Sequence, residues 1–106
     1  MEPTPALYLR EEGTGSPIVL IHGLGGDHTV WNSVIPLLAR RHRVLAPDLK
    51  GHGQSSAPAG AELTFPQLRT DILDILDRRH IASAHLVGLS AGGFLAIDLA
   101  IERPER

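Results

Sequence analysis

The feature that most constrains the fold is a run of four apolar residues, Ile-Val-Leu-Ile, at positions 18–21. No polar residue alternates with them, as it would in a strand that exposes one face to water. A strand of this kind is buried on both faces, which is typical of a parallel sheet covered by helices. Apolar runs at positions 44–46 and 85–87, and a β-prone stretch at 7–9, are predicted as further strands.

Helical periodicity fills the intervals between these strands. Apolar residues recur at helical spacing over residues 27–41, although Pro36 predicts either a kink or a helix that begins there. Thr64 and Gln67 form a capping box at the start of a second helix. Its apolar stripe consists of Phe65, Leu68, Ile72, Ile75 and Leu76. A third helix is predicted over residues 91–102. Strands that alternate with helices predict an α/β fold with a mostly parallel sheet and helices on both faces.

Composition limits both the size and the function of the chain. Its 106 residues accommodate one domain at most, and a hydrophobic fraction of 42% is enough for a packed core. The formal net charge of -2 gives no electrostatic basis for binding nucleic acid or an anionic membrane. Without cysteine, the chain has no disulfide, thiolate metal ligand or thiol nucleophile. No targeting pattern and no membrane-spanning apolar run is found, so we expect a cytoplasmic location.

Three glycine-rich loops follow the last three predicted strands. They read His-Gly-Leu-Gly-Gly at residues 22–26, Asp-Leu-Lys-Gly-His-Gly-Gln-Ser at residues 48–55, and Gly-Leu-Ser-Ala-Gly at residues 88–92. The carboxyl ends of parallel strands meet at one edge of a sheet, where such folds place their chemistry. We therefore expect the three loops to lie together.

The third loop has the pattern of a nucleophile elbow. Ser90 lies on a tight turn between a strand and a helix, and Gly88 and Gly92 leave room where side chains would crowd that turn. The backbone N–H of Ala91 is then placed to donate to a developing oxyanion. The alternative is that Ser90 only caps the last helix, but the position between strand and helix favours the elbow.

The other two loops offer supporting groups. The backbone N–H of Leu24 could form the second half of an oxyanion hole, although a plain glycine turn at Gly23 is an equally good interpretation. His22 is expected to brace its loop through a hydrogen bond to backbone rather than to act as a base. Asp48, His52 and Ser55 are expected to satisfy loop backbone groups. A metal site formed by His22, Asp48 and His52 lacks short paired spacing, and no metal is predicted.

Together the three loops resemble those of the α/β-hydrolase superfamily, in its order and at about its intervals, from Tyr8 to Pro104. The resemblance implies the N-terminal half of that fold, with Ser90 as nucleophile and Leu24 and Ala91 as oxyanion-hole donors. A serine at this position is similar to the esterases, lactonases, C–C hydrolases and cofactor-free haloperoxidases. The epoxide hydrolases and haloalkane dehalogenases carry aspartate there.

The family order of nucleophile, acid and base leaves the acid and the base unassigned. All six histidines precede Ser90, at positions 22, 28, 42, 52, 80 and 85. The resemblance thus implies a single partial domain over residues 1–106, apparently truncated after the helix that follows the elbow. We expect a serine hydrolase that transfers the acyl group of a small ester, lactone or related carbonyl substrate to water without a cofactor, and that is inactive as this piece alone.

Two other interpretations remain open from the sequence. One is a non-catalytic fragment or interaction module that self-associates through an open sheet edge or pairs with a missing C-terminal segment. The other is a self-sufficient esterase in which His22 serves as an improvised base for Ser90.

Overall fold

The computed structural model describes residues 6–57, 60–61 and 63–106. Its strands are β1 (Leu9–Glu12), β2 (Ser16–Ile21), β3 (His42–Pro47) and β4 (His85–Gly88), and its helices are α1 (Ile35–Leu38), α2 (Phe65–Arg78) and α3 (Ala91–Glu102). A 3-10 turn at His28–Trp31 precedes α1. Residues 1–5, 58, 59 and 62 lie outside the described residues. None of the described helices is long and apolar enough to cross a membrane.

The strands form one sheet in the order β1-β3-β2-β4. Strand β2 pairs in parallel with both β3 and β4, so that Ile18 lies opposite Val44 on one side and His85 on the other. Residues 18–21 are confirmed as a strand, and this strand lies between β3 and β4. Strand β1 adds an antiparallel edge against β3, and it begins at Leu9 rather than covering the predicted stretch at 7–9.

Each face of the sheet is covered by helical structure. Helices α2 and α3 pack on one face, where Ile72 and Leu95 are almost fully buried. The 3-10 turn and α1 cover the other face, where Ile35 packs against Leu20 and Val44. Successive residues of β2 point to opposite faces, and all four of its apolar residues at 18–21 are buried, which confirms the mostly parallel sheet with helices on both sides.

The helix predicted over residues 27–41 is wrong as a single element. The segment forms only the 3-10 turn and the four-residue α1, with Pro36 in the first turn of α1. Proline lacks the N–H that a helix interior requires but is tolerated in a first turn, so the helix restarts at this point. Asp27 still caps the first piece, because its side chain accepts the backbone N–H of Thr29 at 2.8 Å.

Helices α2 and α3 match their predicted positions. The Thr64 hydroxyl accepts the N–H of Gln67 at 3.3 Å, which caps α2 as the sequence predicts. Phe65 departs from the predicted buried stripe, since 43% of its surface is exposed. It lies at the rim of the loop edge of the sheet, where its ring faces a pocket described below.

Candidate active site

Ser90 connects β4 to α3 through a backbone conformation that is rare for a residue with a side chain. Its φ of 56° and ψ of -120° place it among only two non-glycine residues with positive φ in the described part of the chain. Such conformations cost of the order of 1 to 3 kcal/mol each and are found mostly at functional sites. Ser90 makes no side-chain hydrogen bond to the first turn of α3, so the capping alternative is wrong.

Two glycines make this turn possible by letting α3 lie directly against the sheet. A Cβ added to Gly92 would overlap the carbonyl oxygen of Ile21, and one added to Gly88 would overlap the backbone of Gly92. Both obstructing groups are backbone atoms, which cannot move without shifting β2 or α3. Close contact at these glycines therefore fixes Ser90 at the end of β4.

The loop at residues 22–26 lies beside the Ser90 turn. The N–H of Leu89 donates to the carbonyl of Ile21 at 3.0 Å, and a Cβ on Gly23 would lie 3.3 Å from Cβ of Ser90. The two loops border one open cavity of about 330 Å³, which is lined by residues 22–26, Val30, Leu89 and Ser90. The expectation that these loops lie together is confirmed.

The two backbone groups singled out for an oxyanion hole have no competing backbone acceptor. In the part of the chain that the structure describes, neither the N–H of Leu24 nor that of Ala91 donates to another backbone group. Leu24 lines the cavity with Ser90, and it also lines an adjoining apolar pocket with Ala91. The N–H of Ala91 lies at the N-terminus of α3, where the helix dipole favours negative charge.

His22 is fully buried and both of its ring nitrogens are engaged. Its Nε2 accepts the N–H of Leu49 at 2.9 Å, so Nδ1 carries the proton and donates to the carbonyl oxygen of Gly23 at 2.6 Å. His22 thus links the loop after β2 to the loop after β3, in agreement with the expected bracing role. With no free ring nitrogen it is unsuited to remove a proton from Ser90, which argues against the self-sufficient esterase.

Asp48 is the structural centre of the loop after β3. Its Oδ1 accepts the N–H and the ring Nδ1–H of His28 at 2.7 and 2.8 Å, and its Oδ2 accepts the N–H of Gln54 at 2.9 Å. Burial alone would raise the pKa of this carboxyl, but the hydrogen bonds from Gln54 and His28 favour the charged form and hold the pKa below its ordinary value. Gly53, with a φ of 49°, passes so close that a Cβ would overlap the carboxylate.

Ser55 and His52 complete the bracing of this loop. The Ser55 hydroxyl donates to the carbonyl of Asp48 at 2.5 Å and accepts the N–H of Tyr8 at 2.9 Å. The Nδ1 of His52 lies 3.0 Å from the carbonyl oxygen of Lys50, and its ring centroid lies 5.3 Å from that of His22. None of Asp48, His52 and Ser55 lines the cavity with Ser90, so they support the loop rather than border the cavity.

His28 is the supporting residue that sequence reasoning missed. It lies 20 positions from Asp48 in another loop, and no local motif predicts their pairing. Asp27, His28 and Asp48 also bring potential metal-ligand atoms within 4.8 Å of one another. Each of these groups already has a hydrogen-bond partner, since Asp27 accepts from Thr29 and His28 donates to Asp48. The cluster is therefore explained without an ion.

Another cavity, of about 370 Å³, lies far from these loops, at the opposite end of β4 and α3. Its lining is mainly apolar, with Arg103 and Arg106 at its border, and it contains none of the predicted site residues. The loop edge of the sheet is the better candidate because, among the described residues, it combines a serine on a strained backbone with backbone N–H groups that have no backbone acceptor.

Comparison with known proteins decides the family. The model of the alpha/beta hydrolase fold family matches residues 16–106, which is most of the chain. The chain belongs to the α/β-hydrolase family. The fold class is thereby confirmed as part of an α/β-hydrolase fold.

Several known proteins are similar to this chain. It is 42% identical to the 2-hydroxymuconate semialdehyde hydrolase of Pseudomonas sp. (strain CF600), over 92% of this chain and 36% of that protein. It is 44% identical to the dihydrolipoyllysine-residue acetyltransferase component of the acetoin cleaving system of Pseudomonas putida, over 87% of this chain and 25% of that protein. The enol-lactonase from Burkholderia xenovorans LB400 superposes with a TM-score of 0.89 at 38% identity, over 94% of this chain and 40% of that one. This chain spans between a quarter and two fifths of the length of these relatives.

Proposed function

We propose that these residues belong to a serine hydrolase that transfers an acyl group from an ester, lactone or related carbonyl substrate to water, with Ser90 as the nucleophile. The observation that carries the proposal is the strained backbone of Ser90 between β4 and α3, with its side chain in the cavity and not bonded to the helix. Strain of this kind persists only where the surrounding structure enforces it. The semialdehyde hydrolase and the enol-lactonase among the relatives support the same reaction class.

In the proposed reaction the Ser90 oxygen attacks the substrate carbonyl, and the carbonyl π electrons move to its oxygen. The N–H groups of Leu24 and Ala91 then donate to that oxyanion, and these hydrogen bonds strengthen as negative charge develops on the oxygen. Collapse of the tetrahedral intermediate expels the leaving group, which takes up the proton removed from the Ser90 hydroxyl, and leaves an acyl-serine. Water attacks the acyl-serine by the same steps in the second half, releases the carboxylic acid and restores the Ser90 hydroxyl.

Proton removal from Ser90 needs a base that residues 1–106 do not provide. Of the histidines, His22 is the one that borders the cavity, and its nitrogens are both engaged. We therefore propose that the acid and base belong to residues outside this chain, and that the 106 residues alone show esterase activity near background. An oxyanion hole without a base retains only ~10³ to 10⁴-fold acceleration over water.

The test compares Ser90→Ala with Ser83→Ala in the protein at the full length its gene encodes. Ser83 is an exposed serine just before β4, at the opposite end of that strand. We expect fluorophosphonate labelling and hydrolysis of a nitrophenyl ester to fall at least ~10³-fold in Ser90→Ala and to remain unchanged in Ser83→Ala. Labelling that survives in Ser90→Ala would contradict the proposal.

Because one relative is named for acetyl transfer, the acceptor of the acyl group needs its own measurement. Acyl transfer to another hydroxyl or thiol would use the same attack and the same oxyanion donors. Water as the acceptor predicts free carboxylic acid as the product, in an amount equal to the alcohol released. A deficit of acid in the presence of an added alcohol or thiol would indicate a transferase.

A further inference from the structure

A small apolar pocket adjoins the cavity that contains Ser90. It has a volume of about 100 Å³ and lies between the loop at residues 22–26 and the first turns of α2 and α3. Leu49, Leu68 and Leu95 form its buried floor, and Leu63 and Phe65 form a half-exposed rim. Every lining residue is aliphatic or aromatic. A charged or hydrogen-bonding group placed there would lose its hydration without gaining a side-chain partner.

The pocket borders both of the residues proposed to hold the oxyanion. Leu24 is shared between this pocket and the Ser90 cavity, and Ala91 forms part of its wall. A carbonyl oxygen that accepts from the N–H groups of these two residues brings its carbon, and the groups attached to that carbon, to the mouth of the pocket. One substituent of the reacting carbonyl can therefore enter the pocket while Ser90 attacks.

We infer that this pocket is a specificity subsite for a short, unbranched aliphatic group on the substrate carbonyl. The inference rests on the proposed function, since it needs a carbonyl at Ser90. A pocket of about 100 Å³ suits a chain of only a few carbon atoms. Leu63 and Phe65 line the pocket at its half-exposed rim, so we expect these two side chains to limit the length of the group.

The first arm of the test measures kcat/KM of the full-length protein for nitrophenyl esters from acetate to octanoate. Burial of each added methylene is expected to raise kcat/KM about fourfold, so that butanoate exceeds acetate by about 15-fold. The rate is expected to fall for acyl groups longer than pentanoate. A second series, with acetate esters of alcohols of increasing length, shows the same preference only if the pocket takes the alcohol side. A flat profile in both series would overturn the inference.

The second arm changes the rim. Leu63→Trp is expected to move the preferred group to a shorter length, and Phe65→Ala to a longer one. Leu37→Trp and Leu37→Ala are the matched controls, because Leu37 is a 57% exposed leucine of α1 on the opposite face of the sheet. Both controls should keep the length profile of the parent protein. An unchanged profile in both rim variants would remove Leu63 and Phe65 from the subsite.

The third arm separates the subsite from the reaction. In Ser90→Ala, which keeps the pocket, butanoate is expected to bind about 15-fold more tightly than acetate when binding is followed by NMR titration. Equal binding of the two acids overturns the subsite even where the serine mechanism holds. Conversely, a butanoate preference in a protein whose turnover survives Ser90→Ala supports the subsite and overturns the nucleophile.

Discussion

Two glycine-containing turns at the same edge of the sheet differ in the burial and the hydrogen bonding of one polar side chain. The Asp48 turn, residues 48–55 after β3, buries the Asp48 side chain completely and gives both of its carboxylate oxygens hydrogen-bond partners. The Ser90 turn, residues 88–92 after β4, leaves the Ser90 side chain exposed. This side chain makes no hydrogen bond to the first turn of α3, and its backbone is strained. Both turns need glycine, Gly53 to make room for a carboxylate and Gly92 to make room for β2.

The difference shows how the fold holds a strained residue in place. Satisfied polar groups in the Asp48 turn fix the loop that donates to His22, and His22 fixes the loop beside Ser90. The strain at Ser90 is then opposed by hydrogen bonds and packing in neighbouring segments rather than by bonds of its own. The hydrogen bonds of the Asp48 turn are therefore expected to raise the free energy of unfolding, whereas the backbone strain at Ser90 is expected to lower it.

The largest expected effect on stability comes from Gly92→Ala. The new Cβ would overlap the carbonyl oxygen of Ile21, so α3 and β2 would have to separate. We expect a loss of at least about 3 kcal/mol in the free energy of unfolding, measured by chemical denaturation.

Gly93→Ala is the matched control for that variant. Gly93 is the next residue of α3, and a Cβ there would meet its nearest neighbour, the carbonyl oxygen of Gly88, at 3.4 Å, which is ordinary contact. Because alanine is the better helix former, Gly93→Ala should be neutral or stabilise the chain by up to about 1 kcal/mol. A similar loss in both variants would show that the close approach at Gly92 is not the cause.

Asp48→Asn tests the other turn. The amide can accept at only one of the two oxygen positions, so at least one of the donors from His28 and Gln54 loses its buried acceptor. We expect a loss of about 3 kcal/mol in the free energy of unfolding, mainly from unsatisfied buried groups.

The stability effect of Asp48→Asn is expected to change with pH in one direction. Because the pKa of Asp48 is lowered in the folded chain, its contribution is fully present above the unfolded-state value of roughly 4 and is lost as the pH falls through the folded value. The stability difference between the parent and Asp48→Asn should therefore be constant at neutral pH and shrink in acid. A difference that grows in acid would contradict the assignment.

Sequence reasoning succeeded where the determinants are local. The apolar run of β2, the glycines around Ser90 and the Thr64 cap each act through immediate neighbours, and the structure has them where the pattern predicts. The strand order could not be predicted from the alternation of strands and helices, because several orders satisfy the same alternation. The pairing of His28 with Asp48 joins two loops 20 residues apart, and no spacing rule encodes it.

A second buried carboxylate, Asp71, has a pKa that is shifted in the opposite direction to that of Asp48. Asp71 of α2 lies 4.0 Å from the ammonium of Lys50 in the Asp48 turn, and its Oδ2 has no hydrogen-bond partner among the described residues. Burial raises the pKa of Asp71, with Lys50 only partly offsetting it. Asp71 therefore reduces stability as the pH rises from its unfolded-state value to its folded value.

Replacing this pair tests whether it contributes net stability. Asp71→Leu alone should lose roughly 2 to 3 kcal/mol, because Lys50 is left as an unpaired buried charge. Lys50→Met combined with Asp71→Leu should recover that loss and gain about 1 kcal/mol over the parent, since two poorly satisfied charges are removed. Urea unfolding of the two single variants and the double variant measures the cycle, and a double variant no more stable than Asp71→Leu would show that the pair is specifically required.

The smallest effect isolates the strain at Ser90. Ser90→Ala and Ser90→Gly both remove the hydroxyl. Only glycine adopts a φ of 56° and ψ of -120° without strain, because it has no Cβ to crowd the backbone. We expect Ser90→Gly to unfold with a free energy about 1 kcal/mol higher than Ser90→Ala. At Ser83, where the φ is not positive, the order should reverse, because glycine there only adds freedom to the unfolded chain. Because both Ser90 variants lack the hydroxyl, their difference, compared with the same pair at Ser83, measures the backbone strain at Ser90. The same order at both positions would mean that the Ser90 turn stores no strain, and the contrast between the two turns would then rest on hydrogen bonding only.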